Sequence, residues 1–334
     1  MSEKLKNIIS AASKVFILTD ENVAPFWLPE VAYWLQSEPA VDIVIKSGER
    51  YKNLQTVQRI WKILMKHHAD RNALLINLGG GVITDLGGFA ASTYKRGIKF
   101  INVPTTLLAM VDAAIGGKTG IDFGGTKNQI GTFAEAEEVL VDPVFLSTLP
   151  RREILSGLTE LLKYGFIADA NLLKANLENY QQFIVRAGEI KRKIVARDPT
   201  EQGLRKILNF GHTIGHALES YSLMSDDPFL HGEAVALGMT AALWLSVNQC
   251  GLNIKVLQDY EKLLPMLFSE KEVTLAESDI EPILAYLVHD KKNMGEKPQF
   301  VLLEEVGKPI CDLKVPEETV RLSLEYSINK VSKL

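Results

Sequence analysis

The chain contains little cysteine, no excess of positive charge and no apolar run long enough to cross a membrane. Its 334 residues include only two cysteines, Cys250 and Cys311, without a CxxC spacing, which predicts a reduced, cytoplasmic protein. The net charge of −4 supplies no global basic field that would attract nucleic acid or anionic lipid. The longest apolar stretch, 234–247, spans about 14 residues, which is too short for a bilayer. We therefore expect neither a nucleic-acid partner nor a membrane location.

Two sequence textures divide the chain near residue 150. Residues 1–150 alternate short β-branched runs with helical periodicity, as βαβ units do. The apolar runs are nearly continuous, which favours parallel strands covered on both faces. Residues 151–334 are helical in pattern almost to the end. The predicted strands cover residues 14–19, 41–45, 73–78, 99–103 and 139–141, and the helices predicted between them include 54–67 and 105–114.

A first glycine-rich turn lies in the segment LLINLGGGVITDLGGFAA, which runs from a predicted strand through Gly79, Gly80 and Gly81 into a helical pattern. Small residues at such a turn let a pyrophosphate approach backbone N–H groups at a helix N-terminus. The Rossmann fingerprint fails here, because Thr84 stands where its third glycine belongs. On this segment alone, a tight structural turn is favoured over a nucleotide cradle, and both interpretations stay open.

A second glycine-rich segment, 116–131, places Lys118, Lys127 and Asn128 among its glycines. Its GKT tripeptide resembles part of a P-loop, but Asp112 stands where the first Walker A glycine belongs, which excludes that class of ATPase. Glycine is costly in conformational entropy, so stability alone would not select this composition. We therefore predict a ligand-contacting loop rather than a plain surface loop.

Three of the six histidines, His212, His216 and His231, fall within 20 residues. His212 and His216 lie four apart, on one face of a predicted helix. The pattern is not the HExxH of metalloproteases, because Thr213 stands where the glutamate would be. Two imidazoles with one carboxylate and an open position make up the usual catalytic zinc site. Capping or core histidines remain the alternative.

The carboxylate of such a site must come from elsewhere in the chain. Glu160 and Lys163 stand at i and i+3 on an otherwise apolar helical segment, SGLTELLKYGFI. A structural ion pair on a solvated helix face explains these two residues equally well. Spacing alone therefore predicts two histidine ligands and leaves the carboxylate open.

As a linked set, several motifs resemble the 3-dehydroquinate synthase family. They are GGGVITDLGGFAASTYKRG, VPTTLLAMVDAAIGGKTGID, KNQIG, GLTELLKYG, RKILNFGHTIGHALE, HGEAVALGM and DKKN, in family order from about residue 75 to 295. The resemblance implies an α/β Rossmann-like, NAD-binding N-terminal domain (1–150), an all-α, metal- and substrate-binding C-terminal domain (151–334), and a homodimer. Thr84, Lys95 and Thr159 depart from the family pattern, but none of these changes removes a functional group.

The resemblance also assigns site residues. The metal ligands, for zinc or cobalt, are Glu160, His212 and His231. The NAD contacts are Asp20, Asn22, Glu49, Lys52, Gly80, Gly81, Asp85, Thr105, Thr106, Lys127, Phe145, Thr148 and Glu153. The substrate-binding and catalytic residues are Asp112, Lys118, Asn128, Lys163, Lys191, Arg205, Asn209 and His216, with Arg96 reaching across the dimer interface and a last lysine that is Lys292 rather than Lys291.

The family reaction converts 3-deoxy-D-arabino-heptulosonate 7-phosphate into 3-dehydroquinate and phosphate. It proceeds by alcohol oxidation, phosphate elimination, carbonyl reduction, ring opening and intramolecular aldol closure. One rival is another sugar-phosphate cyclase, which makes a valiolone or a deoxy-inosose from a substrate without a carboxylate; Lys191, Arg205 and Asn209 keep the dehydroquinate-synthase pattern. The others are a metal-dependent alcohol or glycerol dehydrogenase and a non-catalytic protein that has kept the fold.

Overall fold

The computed structural model of the protein describes residues 3–35, 40–124, 126–292 and 298–332; for residues 288–292 it describes the backbone alone. The chain divides into two compact units, Met1–Leu149 and Pro150–Leu334. Within the described ranges, the helices are all too short or too polar to cross a membrane.

The first unit is built on a four-stranded parallel sheet with strand order β2-β1-β3-β4. Its central strands are buried along most of their length because their apolar runs are covered on both faces, as predicted. A core that includes Phe16, Ile60 and Leu86 packs the helices at residues 54–66 and 81–93 onto one face of this sheet. The elements are α1 (Glu3–Ser10), β1 (Val15–Asp20), α2 (Ala24–Trp34), β2 (Ala40–Ile45), α3 (Leu54–Lys66), β3 (Leu74–Gly79), α4 (Gly81–Thr93), β4 (Lys99–Pro104), β5 (Lys118–Phe123) and β6 (Thr126–Phe133).

The described residues of the second unit are helical apart from turns and one antiparallel hairpin. The long helix α8 is buried over most of its length and packs against α5, α7 and α12, because its small and apolar residues leave no polar face. The elements are α5 (Arg151–Ile167), α6 (Ile184–Arg197), α7 (His212–Ser222), α8 (His231–Cys250), α9 (Ile254–Glu261), α10 (Leu264–Leu267), α11 (Ile280–Lys292), β7 (Gln299–Glu305), β8 (Lys308–Lys314) and α12 (Glu317–Val331).

One predicted element of the first unit is wrong, and another is confirmed only in part. In place of the predicted strand 139–141, the structure has a single bridge between Val139 and Asn102, which extends the edge of the sheet by one residue pair. The predicted helix 105–114 is confirmed over residues 107–113. It begins two residues late because the Thr105 N–H still bonds to the Gly79 carbonyl, 3.0 Å away, as an extension of the sheet. The rest of this segment contains a short π-helical turn, Ala109–Ala113.

The hairpins β5–β6 and β7–β8 were missed by the sequence analysis. The glycine-rich segment 116–131, predicted as a loop, largely forms the hairpin β5–β6, in which Gly120 pairs with Gly131. A Cβ at Gly131 would lie 2.3 Å from the Thr119 carbonyl oxygen, so glycine is needed here for close strand approach. The hairpin β7–β8 turns at Gly307, whose φ of 84° suits glycine, within a part of the chain that was predicted to be helical.

The close contact between α7 and α8 depends on glycine. A Cβ at Gly238 of α8 would lie 1.9 Å from the carbonyl oxygen of Gly211, the residue that precedes α7. A Cβ at Gly232 would likewise lie 2.0 Å from the carbonyl oxygen of Ser156 in α5. The three helices are therefore held at backbone-contact distance where α7 and α8 begin.

We expect Gly238→Ala to lower the free energy of unfolding by about 1–3 kcal/mol, because the added methyl group must push α7 away from α8. The same displacement moves His212, the first residue of α7, and should weaken metal binding. Thermal denaturation and Co²⁺ titration would measure both effects. Gln249→Ala, at an exposed position of α8, is the control and should change neither quantity. Unchanged stability in Gly238→Ala would contradict the packing argument.

Candidate functional site

Three potential metal ligands from three helices converge in the second unit. Glu160 lies in the middle of α5, and His212 and His231 are the first residues of α7 and α8. One donor atom from each lies within 4.8 Å of the others. The Nε2 atoms of His212 and His231 are 3.5 and 3.7 Å from Oε1 of Glu160. Local sequence fixes both helix starts, since Gly211 adopts a left-handed conformation before α7 and the Glu233 carboxylate accepts the Leu230 N–H before α8.

Glu160 and Lys163 are buried, so the interpretation of this pair as a solvated surface pair is wrong. Their side chains are 0% and 1% exposed, and the Lys163 ammonium forms an ion pair with the Glu160 carboxylate. Burying a carboxylate is costly unless a cation or several hydrogen bonds compensate it. A compensated buried carboxylate beside two imidazoles fits a divalent cation, because this is the donor set of catalytic zinc sites.

The pKa values of the two histidines of this group are shifted in opposite directions. Burial, followed by the positive charge of Lys163, lowers the pKa of His212 well below its usual value, so its ring is neutral and can act as a ligand. Burial also acts to lower the pKa of His231, but the charges of Glu219 and Glu160 outweigh it and raise this pKa to about 10. The second carboxylate, Glu219, is therefore part of the electrostatics of the group.

His216 lies one turn after His212 on α7 and is exposed. Its ring centroid is 5.2 Å from that of His212 and 5.9 Å from that of His231. It falls outside the group formed with Glu160 and instead joins Glu219 and His231 in a second set of donors. Its assignment to the substrate rather than to the metal stays a prediction, and this position is compatible with it.

The other predicted substrate residues of the second unit are two buried cations and an amide. Lys191 and Arg205 are 6% and 2% exposed, and Arg205 Nη1 donates to the Pro199 carbonyl oxygen over 2.6 Å. The Asn209 amide donates to the Glu201 carboxylate over 2.8 Å. The side chains of Lys291 and Lys292 lie outside the described residues.

In the first unit, the predicted NAD contacts Gly80 and Gly81 form the junction between β3 and α4. Gly80 is the N-cap and Gly81 the first residue of α4, so backbone N–H groups of the helix N-terminus are presented there. A Cβ at Gly80 would lie 2.9 Å from Cγ2 of Thr106, another predicted contact. Because Gly80 has no side chain, Thr106 can pack directly against the backbone of this turn, and a pyrophosphate could approach the same backbone closely.

Lys52 joins several predicted contacts into one network. Its Nζ atom, almost fully buried, donates to Asp85 over 2.6 Å and to the Asn128 side chain over 2.7 Å. Burial acts to lower the pKa of Lys52, but Asp85 and Glu49 outweigh it and raise the pKa above its usual value. Lys127 Nζ lies 3.4 Å from Glu49, which links a further predicted contact to the same cluster. Asn128, predicted to bind substrate, is thus held by a predicted cofactor residue.

The remaining predicted residues occupy ends of elements. The Asp20 carboxylate ends β1 and accepts the N–H groups of Asn22 and Val23, and burial raises the pKa of Asp20. Burial likewise raises the pKa of Glu153 in the first turn of α5. Further predicted residues stand at other ends and turns of the chain: Thr105 after β4, Asp112 in the π-helical turn, Lys118 at the start of β5, Thr148 at the end of a 3₁₀ turn, and exposed Arg96 in a turn with a φ of 68°.

Two residues of these groups were missed by the sequence analysis. Glu219 lies two turns after His212 on α7, so its helical spacing could have shown it. Trp27 donates from Nε1 to the Thr148 hydroxyl over 2.8 Å, and its ring packs edge-on against Phe145 at 4.8 Å between centroids. No spacing rule connects Trp27 with residues more than 100 positions later.

The chain matches two family models, described as 3-dehydroquinate synthase N-terminal over residues 42–156 and 3-dehydroquinate synthase C-terminal over residues 157–293. A relative from Parabacteroides distasonis, named 3-dehydroquinate synthase, is 41% identical and is matched over 98% of this chain and 95% of its own.

Two solved structures of similar fold hold both kinds of cofactor. A 2-deoxy-scyllo-inosose synthase complexed with carbaglucose-6-phosphate, NAD⁺ and Co²⁺ is 26% identical, with a TM-score of 0.85, over 95% of this chain and 92% of that one. A 2-epi-5-epi-valiolone synthase from Streptomyces hygroscopicus with NAD⁺ and Zn²⁺ bound is 25% identical, with a TM-score of 0.83, over 96% of this chain and 91% of that one.

Proposed function

The chain belongs to the 3-dehydroquinate synthase family, and from this premise we propose that it converts 3-deoxy-D-arabino-heptulosonate 7-phosphate into 3-dehydroquinate and inorganic phosphate. The observation that carries the proposal is the convergence of Glu160, His212 and His231 from three helices. The proposal includes catalytic NAD, zinc or cobalt as the divalent metal, and a cytoplasmic homodimer in which Arg96 reaches the substrate bound by the other subunit.

When bound, the metal would supply Lewis acidity to substrate hydroxyls, and NAD would accept and return a hydride. The residues of the chain have three tasks besides holding these groups. Lys163, Lys191 and Arg205 supply positive charge for the substrate's carboxylate and phosphate. His216, exposed beside the triad of Glu160, His212 and His231, exchanges protons with the reacting hydroxyls. Asn209, fixed by its bond to Glu201, presents a directed amide.

The reaction has no net redox change, because the hydride removed in the first step is returned in a later one. NAD is therefore needed only in catalytic amount, whereas a polyol dehydrogenase accumulates one NADH per substrate oxidised. The substrate carboxylate separates this reaction from those of the other cyclases, and we assign Lys191 and Arg205, both of them buried, to bind it.

The test is to incubate the purified protein with Co²⁺, substoichiometric NAD⁺ and the heptulosonate phosphate, and to measure released phosphate, 3-dehydroquinate and NADH. We expect many equivalents of phosphate and 3-dehydroquinate per NAD⁺ and no accumulation of NADH. Turnover with glucose 6-phosphate instead would support an inosose-type cyclase. Stoichiometric NADH from glycerol would support a dehydrogenase, and no turnover with any of these would overturn the enzymatic proposal.

We expect Lys52→Met to weaken NAD⁺ binding by roughly tenfold or more, since hydrogen bonds to charged groups contribute about 1.5–3 kcal/mol. Without the ammonium, the Asp85 carboxylate on α4 loses a compensating cation near the turn proposed to hold the pyrophosphate. Calorimetric titration with NAD⁺ would measure the change. Lys46→Met, at an exposed position beyond β2, is the control and should keep the wild-type affinity. Equal affinities in the two variants would contradict the assignment of Lys52.

A further inference from the structure

The two ring nitrogens of His231 face different carboxylates. Nε2 lies 3.7 Å from Oε1 of Glu160, on the side of the proposed metal. Nδ1 lies 3.4 Å from Oε2 of Glu219, within reach of a long hydrogen bond. Glu219 is only 5% exposed and sits on α7, two turns beyond His212. A buried carboxylate is thus directed at the nitrogen that the Glu160 group does not use.

A neutral histidine carries one proton and one lone pair on its ring, and the partner of one nitrogen decides which role the other has. A carboxylate next to Nδ1 holds the proton there, so that the lone pair of Nε2 points toward the metal. Such outer carboxylates fix the tautomer and the orientation of a ligand histidine and strengthen its basicity.

We propose that Glu219 is a positioning residue for the metal site: it binds the Nδ1 proton of His231 and directs Nε2 toward the cation held with Glu160 and His212. The inference rests on the proposed function, because it presupposes a cation at this triad. It adds to that function a residue on α7 that controls the affinity for the metal without touching it.

The competing possibility is a second cation held by His216, Glu219 and His231, whose donor atoms also lie within 4.8 Å of one another. Both sets would need His231, and a neutral imidazole offers a single lone pair. The Glu160 set contains two buried residues, whereas the second set includes the exposed His216. Burial of the donors therefore favours the triad with Glu160 and leaves Glu219 in the supporting role.

The test is to titrate metal-free protein with Co²⁺, following its absorption spectrum and the number of ions bound, in wild type and three variants. We expect one Co²⁺ per chain in each. Glu219→Ala should weaken binding by about 10–100-fold, the usual loss for an outer-shell partner. Glu219→Gln, whose amide oxygen still accepts a hydrogen bond, should recover part of this loss. His216→Ala removes the neighbouring donor on the same helix face, which in this proposal neither binds the metal nor holds one of its ligands. Its affinity for Co²⁺ should therefore stay within about twofold of wild type.

A second readout separates positioning from general damage to the fold. In the Zn²⁺-loaded protein, long-range proton–nitrogen NMR correlations should show His231 protonated at Nδ1 in wild type and in Glu219→Gln. In Glu219→Ala this tautomer should no longer be uniquely populated. Far-ultraviolet circular dichroism of the metal-free variants checks that each is folded.

Three outcomes would go against these ideas, each in a different way. Wild-type affinity and tautomer in Glu219→Ala would overturn the positioning role and leave the triad intact. Two Co²⁺ ions in wild type, reduced to one by both Glu219→Ala and His216→Ala, would replace it by a second metal site. Absence of Co²⁺ binding by the wild-type protein would overturn the triad itself, and with it the proposed function.

Discussion

Replacing Glu160 by Gln is expected to abolish the cyclase reaction and to weaken Co²⁺ binding by at least about 10²-fold. Replacing a residue that only hydrogen-bonds to a metal ligand already costs up to about 10²-fold in affinity, and Glu160 is proposed to be a ligand itself. The substitution keeps the size of the side chain but removes the only charge that this residue can offer the cation. Because Glu160 is fully buried, water has no direct access from which to replace the lost ligand. His231→Ala should have a similar effect, since it removes a second donor from the same group.

Glu153→Gln is the matched control for this experiment. Glu153 lies on the same helix, two turns before Glu160, and burial raises the pKa of its carboxyl. It is predicted to contact NAD and not the metal, so Glu153→Gln should keep the affinity for Co²⁺ while weakening that for NAD⁺. Co²⁺ titration and NAD⁺ calorimetry on both variants would separate the two roles. Full activity and normal metal content in Glu160→Gln would show that the ligand set is wrong.

The sheet and the histidine cluster could be predicted from sequence because their determinants are local. Nearly continuous apolar runs predict buried parallel strands, and β1, β2, β3 and β4 lie within one or two residues of the predicted positions. The break at Asp226, Asp227 and Pro228 precedes α8, which begins at His231. The family resemblance, confirmed by both family models, supplied what local patterns lacked, including the carboxylate at residue 160.

The remaining features depend on contacts between distant segments. Glu160 and Lys163 show the same i, i+3 spacing whether the helix face is solvated or buried, so only the packing of α5 reveals that they are buried. The pairing of Gly120 with Gly131 is a cross-strand contact, whereas glycine content by itself predicts a loop. The approach of Glu219 to His231 requires α7 and α8 to be in backbone contact at Gly238, which no periodicity encodes.

The buried pair formed by Glu160 and Lys163 predicts that Lys163→Met will destabilise the metal-free protein by about 3–5 kcal/mol. Methionine fills most of the space of lysine but leaves the buried Glu160 carboxylate without the ammonium. A divalent cation at the triad restores positive charge next to that carboxylate. The metal-induced increase in melting temperature should therefore be larger in Lys163→Met than in wild type, because ligand binding stabilises the folded state by linkage.

The double variant Glu160→Gln/Lys163→Met provides the internal check. Removing both charges leaves no uncompensated buried ion, so its metal-free form should be more stable than that of Lys163→Met alone. Lys262→Met, which breaks an exposed pair with Asp259, should change stability by less than about 1 kcal/mol. Denaturant unfolding and thermal unfolding, each with a chelator and with Co²⁺, would give the free energy of unfolding and the melting temperature of all four proteins. If metal-free Lys163→Met unfolds like wild type, Lys163 does not compensate Glu160, and a large loss of activity in this variant would then be assigned to substrate binding alone.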